Sequence, residues 1–332
     1  MLRLHFTTDD LKRIRILRNP DPTWEIICSM CRLKTDEGQT AFGSWRSATR
    51  TRLLRDERLR MTLSPLRGLV PSSGYIPDFL TPAVPAHVTS ASEALPAALD
   101  TIRGTSRRDV VHQLTRLDSA QRRLGRRGTS PRPDATDPLV VAGALETYFE
   151  TTLRPHWPRM RALVASDVDV RTRALLDGGV QELFDSLAPL ARWRDPVLEV
   201  DYPVDRDVSL DGRGLVLVPS FFCWRRPTAP ADPALPPTLV YPVAKRPWDL
   251  AQTWGTGAVR LLGRTRASIL SAVARRDGRT SSDVARAVGV AQSSLSYQIA
   301  ILRESGLLSS HRTGKNMVHT ATPLGLRILD AG

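Results

Sequence analysis

The chain has 332 residues, 41% of them hydrophobic, with a formal net charge of +13. That length allows two domains with separate cores, and the composition suits an ordinary globular protein. Three cysteines imply no disulfide framework. The longest nearly uncharged apolar stretch, Gly214 to Trp224, is far short of the roughly 20 residues that span a bilayer. The opening MLRLHFTTDD lacks the basic-then-apolar order of a signal peptide, so a soluble, cytoplasmic protein is expected.

Leu2, Leu4 and Phe6 alternate as in a strand, and the acidic Asp9 and Asp10 after Thr7 suit a helical turn. Asp21 before Pro22 reads as an N-cap followed by proline at the first helical position. Trp24, Ile27, Cys28 and Cys31 then form an amphipathic stripe. Proline-rich chain from Pro65 to Pro96 reads as irregular. Helical patterns resume from Ser106 to Leu124 and from Pro138 to about Leu187. Between Pro196 and Trp224 the period becomes strand-like, with residues 207–218 reading as a hairpin that turns at Asp211 and Gly212. Thr238 to Pro242 adds another strand beyond the proline-rich Pro227 to Pro237. Residues 1–250 therefore read as an α+β domain, mostly helical with a small antiparallel sheet and no internal repeat.

From Ala258 to Gly332 the chain reads as a second domain. Thr265 is placed to cap a helix that turns Ile269, Leu270 and Val273 to one side and ends at Gly278. Thr280 caps a short helix with Asp283 in its first turn and Val284, Ala285 and Val288 inward. After Gly289 and the apolar Val290, a third helix from about Gln292 to Ser305 buries Leu295, Ile299 and Leu302. Its other face carries Gln292, Ser293, Ser294, Ser296 and Tyr297. Residues 307–312 and 316–321 then form a β-hairpin turning at 313–315, and Thr322 with Pro323 opens a last helix through Leu329.

Charge follows the same division. Only four residues are lysine (Lys12, Lys34, Lys245 and Lys315), and an arginine bias follows equally from a GC-rich genome or from an anionic partner, so distribution decides. Residues 258–332 hold eleven Arg or Lys against four Asp or Glu, while all preceding residues together carry the other +6. That concentration is expected of a nucleic-acid-binding module. A second run, Arg103 to Arg132, holds nine arginines against Asp109 and Asp118; it ends in Gly, Ser and Pro and reads as solvated surface.

An α-helix fits the major groove, where short polar side chains near its start reach base edges. Glutamine pairs well with adenine, and serine and tyrosine serve bases or phosphates. The candidate DNA contacts are Thr280, Gln292, Ser293, Ser294, Ser296, Tyr297 and Arg303, with Arg312, Lys315 and Asn316 on the hairpin neutralising or bonding the backbone.

The segment DVARAVGVAQSSLSYQIAILRESGL at 283–307 resembles the helix-turn-helix of ArsR-type winged-helix regulators, and residues 308–321 resemble their wing. The long N-terminal portion resembles that of ArsR-like regulators of actinomycetes. The resemblance implies a regulator that represses transcription, acting on a palindromic operator in double-stranded DNA; no effector follows from it, and the N-terminal domain is expected to supply dimerisation, small-molecule effector sensing or both. A homodimer is expected because one recognition helix reads only a few base pairs. The chain departs from the metal-sensing members, since residues 281–288 contain no Cys or His. Ala291 stands where a capping Ser or Thr is common, and Gln298 where His is common.

Other signals have plainer readings. Cys28 and Cys31 have half-site spacing, but they fall on an apolar stripe without a second pair, which favours packing. Cys223 reads as core. Six histidines form no metal spacing. Ser220 lacks the glycines of a nucleophile elbow, and Gly255 and Gly257 lack the rest of a dinucleotide fingerprint. No enzyme, metal or cofactor is expected. Trp157, Tyr202, Phe221, Phe222 and Trp224 suit either a pocket or, more simply, a core. The rival reading is a winged helix used for dimerisation or protein interaction, as in some methyltransferases. Such an enzyme would carry a Gly-rich cofactor loop, and an interaction module would carry an apolar or acidic third helix.

Overall fold

Hydrophobic side chains gather into three clusters, and the chain divides into two units, Met1–Ala244 and Lys245–Gly332. The computed structural model describes residues 1–83, 91–125, 136–244, 261–274, 279–313 and 316–330. Gly255, Gly257, Gly278 and the end of the second arginine run lie outside those residues. Among the described residues no helix is long and apolar enough to cross a membrane.

The alternation at the start of the chain makes β1 (Leu2–His5), with Leu2 and Leu4 buried. It lies inside a four-stranded sheet of order β3-β4-β1-β5, whose partners are β3 (Ala191–Arg194), β4 (Val197–Val200) and β5 (Arg206–Ser209). β1 runs antiparallel to β4 and parallel to β5. A second sheet, of order β2-β6-β7, joins β2 (Arg15–Ile16), β6 (Val216–Ser220) and β7 (Thr238–Pro242), all parallel. The small antiparallel sheet expected from sequence is thus one mixed sheet and one parallel sheet. The hairpin expected over 207–218 does not form, because β5 and β6 pair in different sheets. Alternation marks a strand and its inward face but not its partner. The connection bends at Gly214, whose φ of +74° brings its amide onto the Asp10 carboxylate at 2.8 Å; a Cβ there would overlap the Arg13 carbonyl.

Helices fill the rest of this unit. After α1 (Thr8–Leu11), the expected cap starts α2 (Pro22–Leu33), with Asp21 accepting from the amides of Thr23 and Trp24. α2 is buried all round from Pro22 to Cys31, more than the expected stripe. Glu25 on it accepts from the Phe221 and Phe222 amides at 2.6 and 2.9 Å, which satisfies a fully buried carboxylate. α3 (Gln39–Arg55) and α4 (Glu57–Thr62) follow. The stretch expected to be irregular contains α5 (Leu66–Leu69), a 3-10 turn at Asp78–Leu80 and the start of α6 (Ala91–Arg103). Pro96 lies inside α6, where burial of Leu95, Leu99 and Ile102 outweighs the hydrogen bond that proline removes.

α7 (Arg107–Arg123) is capped by Ser106. α8 (Pro138–Tyr148) passes through π and 3-10 turns into α9 (Trp157–Asp185), which kinks at Gly178 and Gly179. Phe221, Phe222 and Trp157 pack as core, with Phe222 stacked on Phe42 and Trp157 edge-on to Phe149. All three cysteines are buried, and burial pushes the Cys31 thiol up to about 11, where it stays protonated.

One polar network crosses this interior. The Tyr241 hydroxyl on β7 donates to Asp167 Oδ2 at 2.7 Å, and Arg171 Nη2 lies 2.9 Å from Asp167 Oδ1. Arg171 also donates to the Ser186 carbonyl. Tyr241→Phe should cost about 1.5–3 kcal/mol, because a buried carboxyl group paired with Arg171 loses a donor. Urea unfolding of the full chain measures that loss, and an unchanged midpoint would discount the network.

Candidate nucleic-acid interface

The second unit begins its described core with α10 (Arg264–Ala274). Thr265, expected as its cap, lies inside the helix and is exposed. Ile269, Leu270 and Val273 are fully buried. A short strand that the sequence did not suggest, β8 (Arg279–Thr280), precedes α11 (Ser281–Val288). Thr280 and Asp283 form a capping box, with the Thr280 hydroxyl 2.7 Å from Asp283 Oδ2. Gly289 closes α11 at φ +73°, a conformation that favours glycine.

α12 (Gln292–Glu304) starts at Ala291, which makes no side-chain cap, as expected. Leu295, Ile299 and Leu302 are 0%, 5% and 0% exposed, so this stripe fixes which way the helix faces. Gln292, Ser293, Ser294 and Ser296 are exposed on the other side, and Tyr297 is 66% exposed. Gln292 Nε2 donates to Ser282 Oγ at 3.3 Å, and Ser296 Oγ donates back to the Gln292 carbonyl at 2.9 Å. Arg266 Nε on α10 donates to Gln298 Oε1 at 2.9 Å, which ties α10 to α12.

β9 (Leu308–Thr313) and β10 (Asn316–Ala321) pair antiparallel, and β8 adds to β10, giving a three-stranded sheet of order β8-β10-β9. α13 (Pro323–Asp330) completes the unit; Gly325 on it lies so near Leu307 that a Cβ would overlap the Leu307 carbonyl.

The candidate residues fall into three groups. Gln292, Ser293, Ser294, Ser296 and Tyr297 share the exposed face of α12. Arg303 is exposed on its last turn, and Arg312 is exposed on β9. Thr280 is set apart at the N-cap of α11, with its hydroxyl engaged in the capping box. Asn316 opens β10 opposite Thr313, and Lys315 lies outside the described residues.

Sequence reasoning missed His319. It is 3% exposed on β10, with Nε2 2.9 Å from Ser281 Oγ and Nδ1 2.7 Å from Ser310 Oγ. The ring thus joins the hairpin to the first turn of α11. A neutral imidazole offers one donor and one acceptor, which two hydroxyls satisfy. No spacing relates Ser281, Ser310 and His319; only strand register brings them together. Burial, with Arg303 and His311 nearby, lowers the His319 pKa below its ordinary 6.5.

Helices α10, α11 and α12 with the β9-β10 wing give the second unit the form of a winged helix-turn-helix. A family model described as a helix-turn-helix domain matches residues 261–311. No curated protein and no solved structure matches the chain. The C-terminal segment is therefore a helix-turn-helix domain, which makes DNA its expected partner.

Two tests address the interface scaffold. Ala291→Ser supplies the missing cap and should stabilise α12 by about 1 kcal/mol; hydrogen exchange of the α12 amides reads the change. The lowered pKa of His319 means that unfolded chain binds the extra proton more readily. Stability of the winged unit should therefore be full above pH 6.5 and fall as pH drops from 6.5 through the folded-state pKa. A lower exchange free energy at β10 in mildly acidic buffer, with the drop lessened in His319→Gln, is the expected outcome; a pH-independent exchange free energy would refute it.

Proposed function

We propose that this protein is a sequence-specific DNA-binding transcriptional regulator and not an enzyme. It acts in the cytoplasm as a homodimer on a palindromic operator. The observation that carries this reading is the division of α12 into a buried Leu295, Ile299 and Leu302 stripe and an exposed polar face, inside the segment matched as a helix-turn-helix. Gln292, Ser293, Ser294, Ser296 and Tyr297 read base edges in the major groove, while Arg303, Arg312, Lys315 and Asn316 anchor the backbone. Thr280 acts mainly by fixing the start of α11. Repression follows the resemblance to ArsR-type regulators, in which a bound dimer obstructs polymerase. The N-terminal unit supplies dimerisation, effector sensing or both.

The experiment separates base reading from phosphate anchoring. Binding of the full chain is measured to an operator and to an unrelated duplex at several salt concentrations. Gln292→Ala or Tyr297→Ala should cost about 1–3 kcal/mol on the operator and relax preference at one position of each half-site. Arg312→Ala should weaken both duplexes alike and flatten the salt slope by about one unit. If the α12 variants leave affinity and preference intact, the winged helix is a dimerisation or partner-binding module instead.

A further inference from the structure

The helical part of the first unit contains a cavity of about 390 Å³, within the range of small-molecule sites. Its apolar lining comes from Met30, Leu33, Leu53, Leu63, Leu66 and Tyr148. Met30, Leu66 and Tyr148 are buried, whereas Leu53 and Leu63 are only half-buried. At the outside Leu54 is 76% exposed, a large aliphatic left in water at the edge of an apolar hollow.

The polar lining has one sign. Lys34, Arg50, Arg60 and Arg67 contribute to the cavity, and no acidic residue does. Arg50 and Arg60 are held by Asp36 and Glu57 in exposed pairs of 3.4 and 3.2 Å. Among the described residues neither Lys34 nor Arg67 has a carboxylate in an ion pair. Lys34 Nζ donates to the carbonyls of Arg67 and Val70, which leaves one of its three N–H groups for another acceptor. An apolar hollow with a cationic rim complements an amphipathic anion, since arginine forks match carboxylate geometry.

We propose that this cavity binds an apolar monocarboxylate, with its hydrocarbon chain among Met30, Leu33, Leu53, Leu63, Leu66 and Tyr148 and its carboxylate at Arg67 and Lys34. The proposal rests on the reading of the N-terminal unit as the sensing half of a regulator. Its test needs no DNA, so failure here leaves the α12 experiment standing.

The test is isothermal titration of the full chain with dodecanoate below micelle formation, beside dodecanol and dodecylammonium. Dodecanoate should bind with one site per chain, at least tenfold tighter than either control. Arg67→Ala, an exposed change that spares the core, should weaken dodecanoate by about tenfold, the scale of one charge-assisted hydrogen bond, and leave dodecanol unchanged. Leu53→Trp, which fills the hollow from its half-buried wall, should abolish binding; if it fails to fold, Arg67→Ala decides alone. No dodecanoate binding, equal affinity for the three ligands, or undiminished binding in Arg67→Ala would each overturn the proposal.

Discussion

Burial of one stripe on α12 is the constraint from which the interface follows. Leu295, Ile299 and Leu302 share a hydrophobic cluster with Ile269, Leu270, Val273 and Val284. A helix held by residues at that spacing has no rotational freedom about its axis. Gln292, Ser293, Ser296 and Tyr297 therefore face solvent because apolar burial, worth about 1.5–3 kcal/mol for each such side chain, opposes any other orientation. The polar residues need no force of their own to point outward.

Hydrogen bonds then fix what hydrophobic burial leaves loose. Packing is non-directional, so it does not set where the hairpin sits along α11. The His319 ring does, bridging Ser281 and Ser310, while the Arg266 to Gln298 bond sets α12 against α10. Both devices join segments far apart in sequence. The first unit uses the same economy of buried polar groups: Glu25 takes two amides at the end of β6, and Asp167 takes Tyr241 and Arg171. Each is satisfied, as a buried charge must be.

Local signals in the chain were reliable where a single residue controls its own neighbourhood. Asp21, Ser106 and Thr280 start the helices they precede, Gly289 stops one, and Ala291 leaves one uncapped. They failed where a breaker was outweighed, as at Pro96 inside α6, and where a helix showed no clear apolar face, as over Gln39–Arg55. Prolines between Pro65 and Pro96 read as irregular chain because propensity counts the lost hydrogen bond but not the burial that offsets it.

The sequence by itself determined the helix-turn-helix, its polar face, its wing and the buried place of Cys28 and Cys31. Each of these follows from periodicity and capping over a short stretch of chain, where neighbours in sequence are neighbours in space. Only the tertiary structure decided that β5 and β6 join different sheets, that the first unit's sheets are mixed and parallel, and that β8 extends the wing. It alone placed His319 between two serines, and gathered Lys34, Arg50, Arg60 and Arg67 around one apolar hollow. Strand partners come from segments far apart in the chain, and the cavity's walls from the packing angles of successive helices; alternation or charge along the chain carries no record of either.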